Sequence, residues 1–229
     1  MNTTMERISR FTFVLICSLM LCLPMMGKKS KYRIEVEAPE AHLFNGFGVG
    51  VDLVGPIMKV AGGRFSNMEA LARANLLEKY FPVFELGIGN CKREGKEQNT
   101  LFTTTAPYFR IGADYNLTKK RNGNRLLVGL RYAFTSFSCD YSNPDFKDEV
   151  YGGGMELDFK DLSGKMHWAE VVVGLETRLW SIIRLGWNLR YKVKLNGNFS
   201  EHGEPWFVPG FGKNGSNTWG GSVNLMFDI

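Results

Sequence analysis

The sequence predicts an all-β protein, an eight-stranded antiparallel up-and-down transmembrane β-barrel with short turns at one end and long loops at the other. Three observations predict it. Apolar and polar residues alternate with period two in eight separate windows, the mark of strands whose faces meet different surroundings. The connections between those windows alternate short and long, which in a meander puts all the long ones on one rim. The chain opens with an export signal and afterwards holds no apolar run of 18 residues, so membrane residence falls to strands.

Arg7 and Arg10 precede an apolar run from Phe11 to Leu23 that Pro24 closes. A helix that spans a bilayer takes ~20 residues, so this run reads as a secretory signal, with residues 1–27 expected to be removed by a cut after Gly27. Cys22 raises the alternative of lipidation, but Leu21 is bulky where a small residue is expected before a lipidated cysteine. Residues 28–43 are charged, carry Pro39 and read as a flexible lead-in. The barrel is expected over 44–229.

The first strand sets Phe47, Val49, Val51 and Leu53 against Gly46, Gly48, Gly50 and Asp52. The second, around 70–77, sets Ala72, Ala74 and Leu76 against Arg73 and Asn75, and its stretch EALARANLLEKY suits a short helix equally well. In the third, Phe84, Leu86 and Ile88 oppose Glu85, Gly87 and Gly89; in the fourth, Phe109, Ile111, Ala113, Tyr115 and Leu117 oppose Arg110, Gly112, Asp114 and Asn116. The fifth sets Leu126, Val128, Leu130, Tyr132 and Phe134 against Arg125, Gly129, Arg131 and Thr135, and the sixth Val171, Val173 and Leu175 against Glu170, Gly174, Glu176 and Arg178. The seventh is the clearest, with Ile183, Leu185, Trp187, Leu189, Tyr191 and Val193 opposite Arg184, Gly186, Asn188, Arg190, Lys192 and Lys194. The last opposes Trp219, Val223, Leu225, Phe227 and Ile229 to Thr218, Gly220, Ser222, Asn224 and Asp228. Long connections follow Val54 and span Asn90–Ala106, Phe137–Met166 and Leu195–Ser216.

Alternation leaves open whether the apolar face looks inward, as in a lipocalin-like carrier, or outward to lipid. The composition of the faces decides for lipid. The polar faces combine Asp52, Glu85, Asp114, Glu170 and Glu176 with Arg73, Arg110, Arg125, Arg131, Arg178, Arg184, Arg190, Lys192 and Lys194, a mixture suited to pairing inside an enclosed lumen that side chains fill. The apolar faces carry aromatics near their ends, Tyr108 or Phe109, Tyr115, Tyr132, Trp187, Tyr191, Trp219 and Phe227, as interfacial girdles do.

The architecture resembles the small eight-stranded OmpA/OmpX-like outer-membrane barrels over residues 44–229. More narrowly, YFPVFELGIG (Tyr80 to Gly89), APYFRIGADYNL (Ala106 to Leu117) and LLVGLRYAFTSF (Leu126 to Phe137) look like an exported Bacteroidota family catalogued as a domain of unknown function. The resemblance implies a bacterial outer-membrane location and no catalytic, cofactor or metal residues.

The remaining chemistry is sparse. A net charge of +5 is too small an excess to mark a nucleic-acid binder. Cys91 and Cys139 fall at the same rim, where export permits a disulfide between them or leaves two free thiols. Of three histidines, His42 lies in the lead-in, His202 in the last long loop, and His167 near Ser163 and Asp161, the residue types of a hydrolase with no motif joining them. The acids Asp140, Asp145, Asp148, Glu149, Glu156, Asp158 and Asp161 match no calcium-loop spacing. Tyr141, Phe146, Tyr151, Trp206, Phe207 and Phe211 read as a contact surface on the loops, the other reading being a lid packed on itself. The expected role is a non-enzymatic structural component or accessory subunit of an envelope complex, in contact with outer-membrane lipid and other envelope proteins. A small channel or solute-binding barrel and a lipid-modifying enzyme are the alternatives.

Overall fold

Eight strands pair edge to edge until the last meets the first. The structure is a computed structural model; it describes residues 42–95, 100–118, 123–147, 154–200 and 204–229, without the side chains of 144–147 and 154–157. The expected signal segment and most of the expected lead-in lie outside the described residues. The elements are β1 (Phe44–Asp52), a seven-residue helix α1 (Val54–Val60), β2 (Phe65–Leu76), β3 (Tyr80–Glu94), β4 (Leu101–Asn116), β5 (Arg125–Lys147), β6 (Gly154–Arg178), β7 (Ile183–Phe199), β8 (Phe207–Val208), β9 (Gly212–Lys213) and β10 (Asn217–Asp228). Strands β1-β10-β7-β6-β5-β4-β3-β2 form a closed antiparallel barrel, and β8–β9 is a separate small hairpin. Closure leaves no sheet edge along the ring.

Alternating sequence becomes alternating burial. Along β3 every second residue from Phe81 to Cys91 is buried while its neighbours are exposed. The polar face points inward. Val49 and Val51, Leu86 and Ile88, Phe109 and Ile111, Leu130, Val171 and Val173, Leu189 and Trp219 point outward and are exposed, so an apolar belt encircles the barrel. Beyond the belt, toward the long connections, the outward positions turn polar: Thr105, Ser136, Ser138, Ser163 and Lys165. Among the described residues no helix is long and apolar enough to cross a membrane.

The stretch EALARANLLEKY, which suits strand and helix equally, is a strand: in β2 Leu71 and Arg73 find lumen positions and Ala70 and Ala72 outer ones, and pairing on both sides outweighs local helix propensity. Two expected long loops give way. The segment Phe137–Met166 is not a loop; it is mostly the far ends of β5 and β6, paired out to Lys147 and Gly154. Asn90–Ala106 is likewise mostly β3 and β4, paired out to Glu94 and Leu101. Alternation persists through Phe137, Cys139 and Tyr141 with Ser136, Ser138 and Asp140 facing out, so the barrel wall is tall on the β3–β7 side and short along β10, β1 and β2.

Helix α1 sits over the top of β2. At Gly55 the helix backbone approaches β2 so closely that a Cβ would lie 1.4 Å from the Asn67 carbonyl oxygen. Asp52 fixes the turn into it by accepting from the backbone N–H groups of Val54 and Gly55, at 3.2 Å each, and of Val223 at 3.1 Å.

Candidate functional site

The lumen holds two tiers of charge. In the tier nearer the long connections, each strand of β2–β7 offers an inward polar residue at the same height: Glu69, Glu85, Arg110, Arg131, Glu170 and Arg190. Arg110 Nε donates to Glu170 at 2.9 Å, and its Nη1 reaches Glu69 and, at 3.2 Å, Glu85. Arg190 donates to Glu85 at 2.6 Å and to Glu69 at 2.9 Å. Arg131 bridges Glu85 at 3.2 Å and Asp114 at 2.8 Å. With Lys192 the tier has four cations and four carboxylates. Water barely reaches it: Glu85 and Arg110 are 2% exposed and Glu170 1%. Buried charges are tolerable only when paired this fully, since removing one partner costs about 3–5 kcal/mol.

The lower tier, toward the short turns, is Arg73, Arg125 and Arg184 with Glu176 and Asp228. Arg73 clasps Glu176 with both guanidinium nitrogens and reaches Asp228 at 3.2 Å. Arg184 donates to Asp228 at 2.5 Å, and Arg125 at 3.2 Å. Three cations face two carboxylates. The surplus is spread onto Phe81, whose ring lies 5.2 Å from the Arg73 guanidinium and 4.9 Å from that of Arg125, and Arg125 Nε has no hydrogen-bond acceptor.

The upper tier is roofed by the last long connection. The β8–β9 hairpin turns into the barrel mouth and buries Phe207, Val208 and Phe211 among Tyr108, Phe137, Met166 and Trp168. Burial of such side chains is worth on the order of 1.5–3 kcal/mol each. Phe211 meets Trp168 edge-on with centroids 5.7 Å apart. The roof is tied to the charges below it: the Gly210 carbonyl accepts from Lys192 Nζ at 2.7 Å and Arg110 at 3.0 Å, and the Phe211 carbonyl accepts from Lys192 at 3.1 Å. Only glycine fits at 210. Its φ is +78°, and a Cβ would lie 2.4 Å from the Tyr108 ring. Tyr108 in turn donates to Glu69 at 2.9 Å, and Trp168 donates to Glu170 at 2.6 Å.

The pattern of matches and misses is specific. Arg73, Glu85, Arg110, Asp114, Arg131, Glu170, Glu176, Arg184, Arg190 and Lys192 come together in the lumen. Asp52 instead ties the turn to α1. Arg178 is no lumen member; it donates twice to the Ser181 carbonyl in the β6–β7 turn. Lys194 is at the rim, 3.9 Å from Glu204 and over the Phe199 ring. Glu69 was outside the expected strand, although the alternation Glu69, Leu71, Arg73 continues upstream of residue 70. Of the Tyr108–Phe109 pair, Phe109 faces out and Tyr108 in, because the tyrosine hydroxyl finds Glu69 inside.

Phe207 and Phe211 are not a contact surface. They are buried in the roof, and Trp206 is half-buried beneath Arg93, whose guanidinium lies 3.9 Å from its ring, while its N–H donates to the Tyr141 hydroxyl at 2.9 Å. Tyr151 lies outside the described residues, as does the side chain of Phe146. Cys91 and Cys139 are free and buried in the same cluster. Each pairs with Thr104 from opposite sides, two strand spacings or about 10 Å apart, beyond the roughly 7 Å limit between Cα atoms for a disulfide. The expected bridge is therefore not formed.

No hydrolase arrangement assembles at His167. Its Nδ1 lies 2.7 Å from the Tyr132 hydroxyl on the outer face, whereas Ser163, four residues along the same strand, is about 13 Å away and pairs with Ser138. The Asp161 N–H donates to Asp140 at 2.9 Å. No metal-type cluster occurs among the described residues.

Over residues 8–228 the chain matches the family described as a domain of unknown function, DUF6048. The chain belongs to the DUF6048 family. No curated protein and no solved structure matches it, so the DUF6048 barrel is read from its own geometry.

Proposed function

We propose that the protein is a non-enzymatic β-barrel of a bacterial outer membrane, acting as a structural component or accessory subunit of an envelope complex. The observation that carries this is an apolar belt wrapped around a lumen whose charges are paired and roofed. Exposed Val, Leu, Ile and Phe on every wall of a barrel would aggregate in water; lipid removes that cost, and aromatic pairs such as Tyr80–Tyr115 and Tyr191–Trp219 at the belt's margins suit the interface. The apparent export signal supports the same location, and the strand count supports kinship with small OmpA/OmpX-like barrels of Bacteroidota.

A dry upper tier argues for work done outside the lumen. The β5–β6 ribbon, paired out to Lys147 and Gly154, reaches past the apolar belt and presents the exposed side chains of Asp140, Phe159 and Lys160 to other envelope proteins. Outer-membrane lipid and such proteins are the proposed partners, with no cofactor and no nucleic acid. Photo-crosslinkers placed at the exposed Phe159 and Lys160 are expected to capture a discrete envelope protein in cells; labelling of lipid alone would sink the accessory role.

A second reading, a binding barrel for a small anion, is favoured by the cation surplus of the lower tier. It predicts saturable chloride or phosphate binding that Arg125→Gln abolishes. Titration calorimetry with no binding in the wild type would remove it.

A further inference from the structure

On the outer face, the belt is interrupted by one furrow. Along β2 the outward side chains shrink to Ala70 and Ala72, with Ala74 next on the same face, while Val49 and Val51 of β1 and Phe84 and Leu86 of β3 stand on either side. The space between them is about 460 Å³, flanked beyond β1 by Phe227, which pairs with Val49, and its lining residues are all apolar. Ala70 to Ala74 covers about 13 Å of strand, so the furrow is long and narrow, running along the barrel wall.

The head of the furrow is cationic. Above Ala70, toward the long connections, come Met68 and Ile88, the pair Ser66 and Asn90, and then Arg64 and Lys92, about 20 Å of strand from Ala70 and adjacent because the Lys92 N–H donates to the Arg64 carbonyl at 2.8 Å; both are exposed. Lys59, in the last turn of α1, adds a third exposed cation on the connection that caps β1 and β2. The nearest acid on this column, Glu94, is one outward position further from the furrow. Beside Lys59, Ile57 and Val60 are exposed apolar side chains at the same rim, suited to the boundary between head groups and hydrocarbon. An apolar slot at belt depth with long, flexible cationic side chains higher on the same face matches a lipid that carries phosphate.

Given the membrane reading above, on which this rests, we propose that the β1–β2–β3 furrow binds one acyl chain of a phosphorylated, acylated glycolipid of the outer leaflet, with its phosphate at Arg64, Lys92 and Lys59. Long basic side chains reach down over apolar surface while keeping their charge in the head-group layer, and small furrow residues let a chain lie against backbone where bulky neighbours would not.

The test uses the full mature chain refolded in detergent, with bisphosphorylated hexa-acyl lipid A as probe and native mass spectrometry as readout. One lipid A per barrel is expected to survive detergent exchange. Ala72→Phe, which fills the furrow from outside and leaves the lumen untouched, should lower the retained fraction at least fivefold, and so should the double change Arg64→Gln with Lys92→Gln. Dephosphorylated lipid A should bind wild type only as well as intact lipid A binds the double variant. Both variants must keep the slowed migration on boiling that marks a folded barrel. Equal retention in Ala72→Phe overturns the proposal, as does phosphatidylglycerol retained equally well, or a dimer that Ala72→Phe dissociates. A chain that stays monodisperse without detergent and shows no heat shift overturns the membrane reading itself, a different result.

Discussion

The two tiers of the lumen are built from the same residue types and end in different electrostatic states. In the upper tier, Arg110 and Arg190 each touch several of Glu69, Glu85 and Glu170, the charges balance, and a roof of Phe207, Val208 and Phe211 excludes water. In the lower tier, Arg73, Arg125 and Arg184 share Glu176 and Asp228, one cation is surplus, and Asp228 is a quarter exposed. The difference teaches that an inward polar face does not by itself make a pore or a seal. What decides is the bookkeeping of charge together with whatever closes the mouth.

The sharpest way to break the comparison is to make the same kind of change in both tiers. Glu85→Gln strands Arg110, Arg131 and Arg190 in a dry site and is expected to cost about 3–5 kcal/mol, read as a lowered urea midpoint for refolding in micelles or as loss of the heat-shifted band. Gly210→Val attacks the roof instead; the left-handed backbone and the Tyr108 ring leave no room for a side chain, and a cost of about 1–3 kcal/mol should come with ion conductance above that of the wild type. Arg125→Gln removes the surplus cation and leaves the lower tier balanced, so its effect on the urea midpoint should stay under about 1 kcal/mol. A drop as large as that of Glu85→Gln would erase the distinction. Smallest of all, Lys194→Gln touches a rim pair 3.9 Å long to an exposed Glu204 and should change stability by no more than about 0.5 kcal/mol. Thiol counts on the purified protein should be two for the mature chain with or without reductant, as the register of Cys91 and Cys139 about Thr104 requires.

The ring itself was legible because period two is a local signal. In β7, each of Arg184, Arg190 and Lys192 faces the lumen as its place in the alternation requires. Long-range consequences were not legible. Glu69 lies just upstream of the clear alternation at 70–77, although Glu69, Leu71 and Arg73 keep the period. The far halves of β5 and β6 carry acids that suggest a loop, yet Phe137, Cys139 and Tyr141 keep alternating with Ser136, Ser138 and Asp140. The roof left the weakest trace. The stretch PWFVPGFG reads as an exposed aromatic loop, and nothing within it records that Lys192 and Arg110, far off in sequence, supply the donors that draw the Gly210 and Phe211 carbonyls inward.

The most direct test of a sealed, lipid-embedded barrel is bilayer recording on the refolded wild-type chain, with insertion verified by the heat shift of protein recovered from the same membranes. The account predicts a folded, inserted barrel that passes no measurable current. Reproducible single-channel steps from the wild type would contradict it, because the account has the paired upper tier and the roof over it close the lumen.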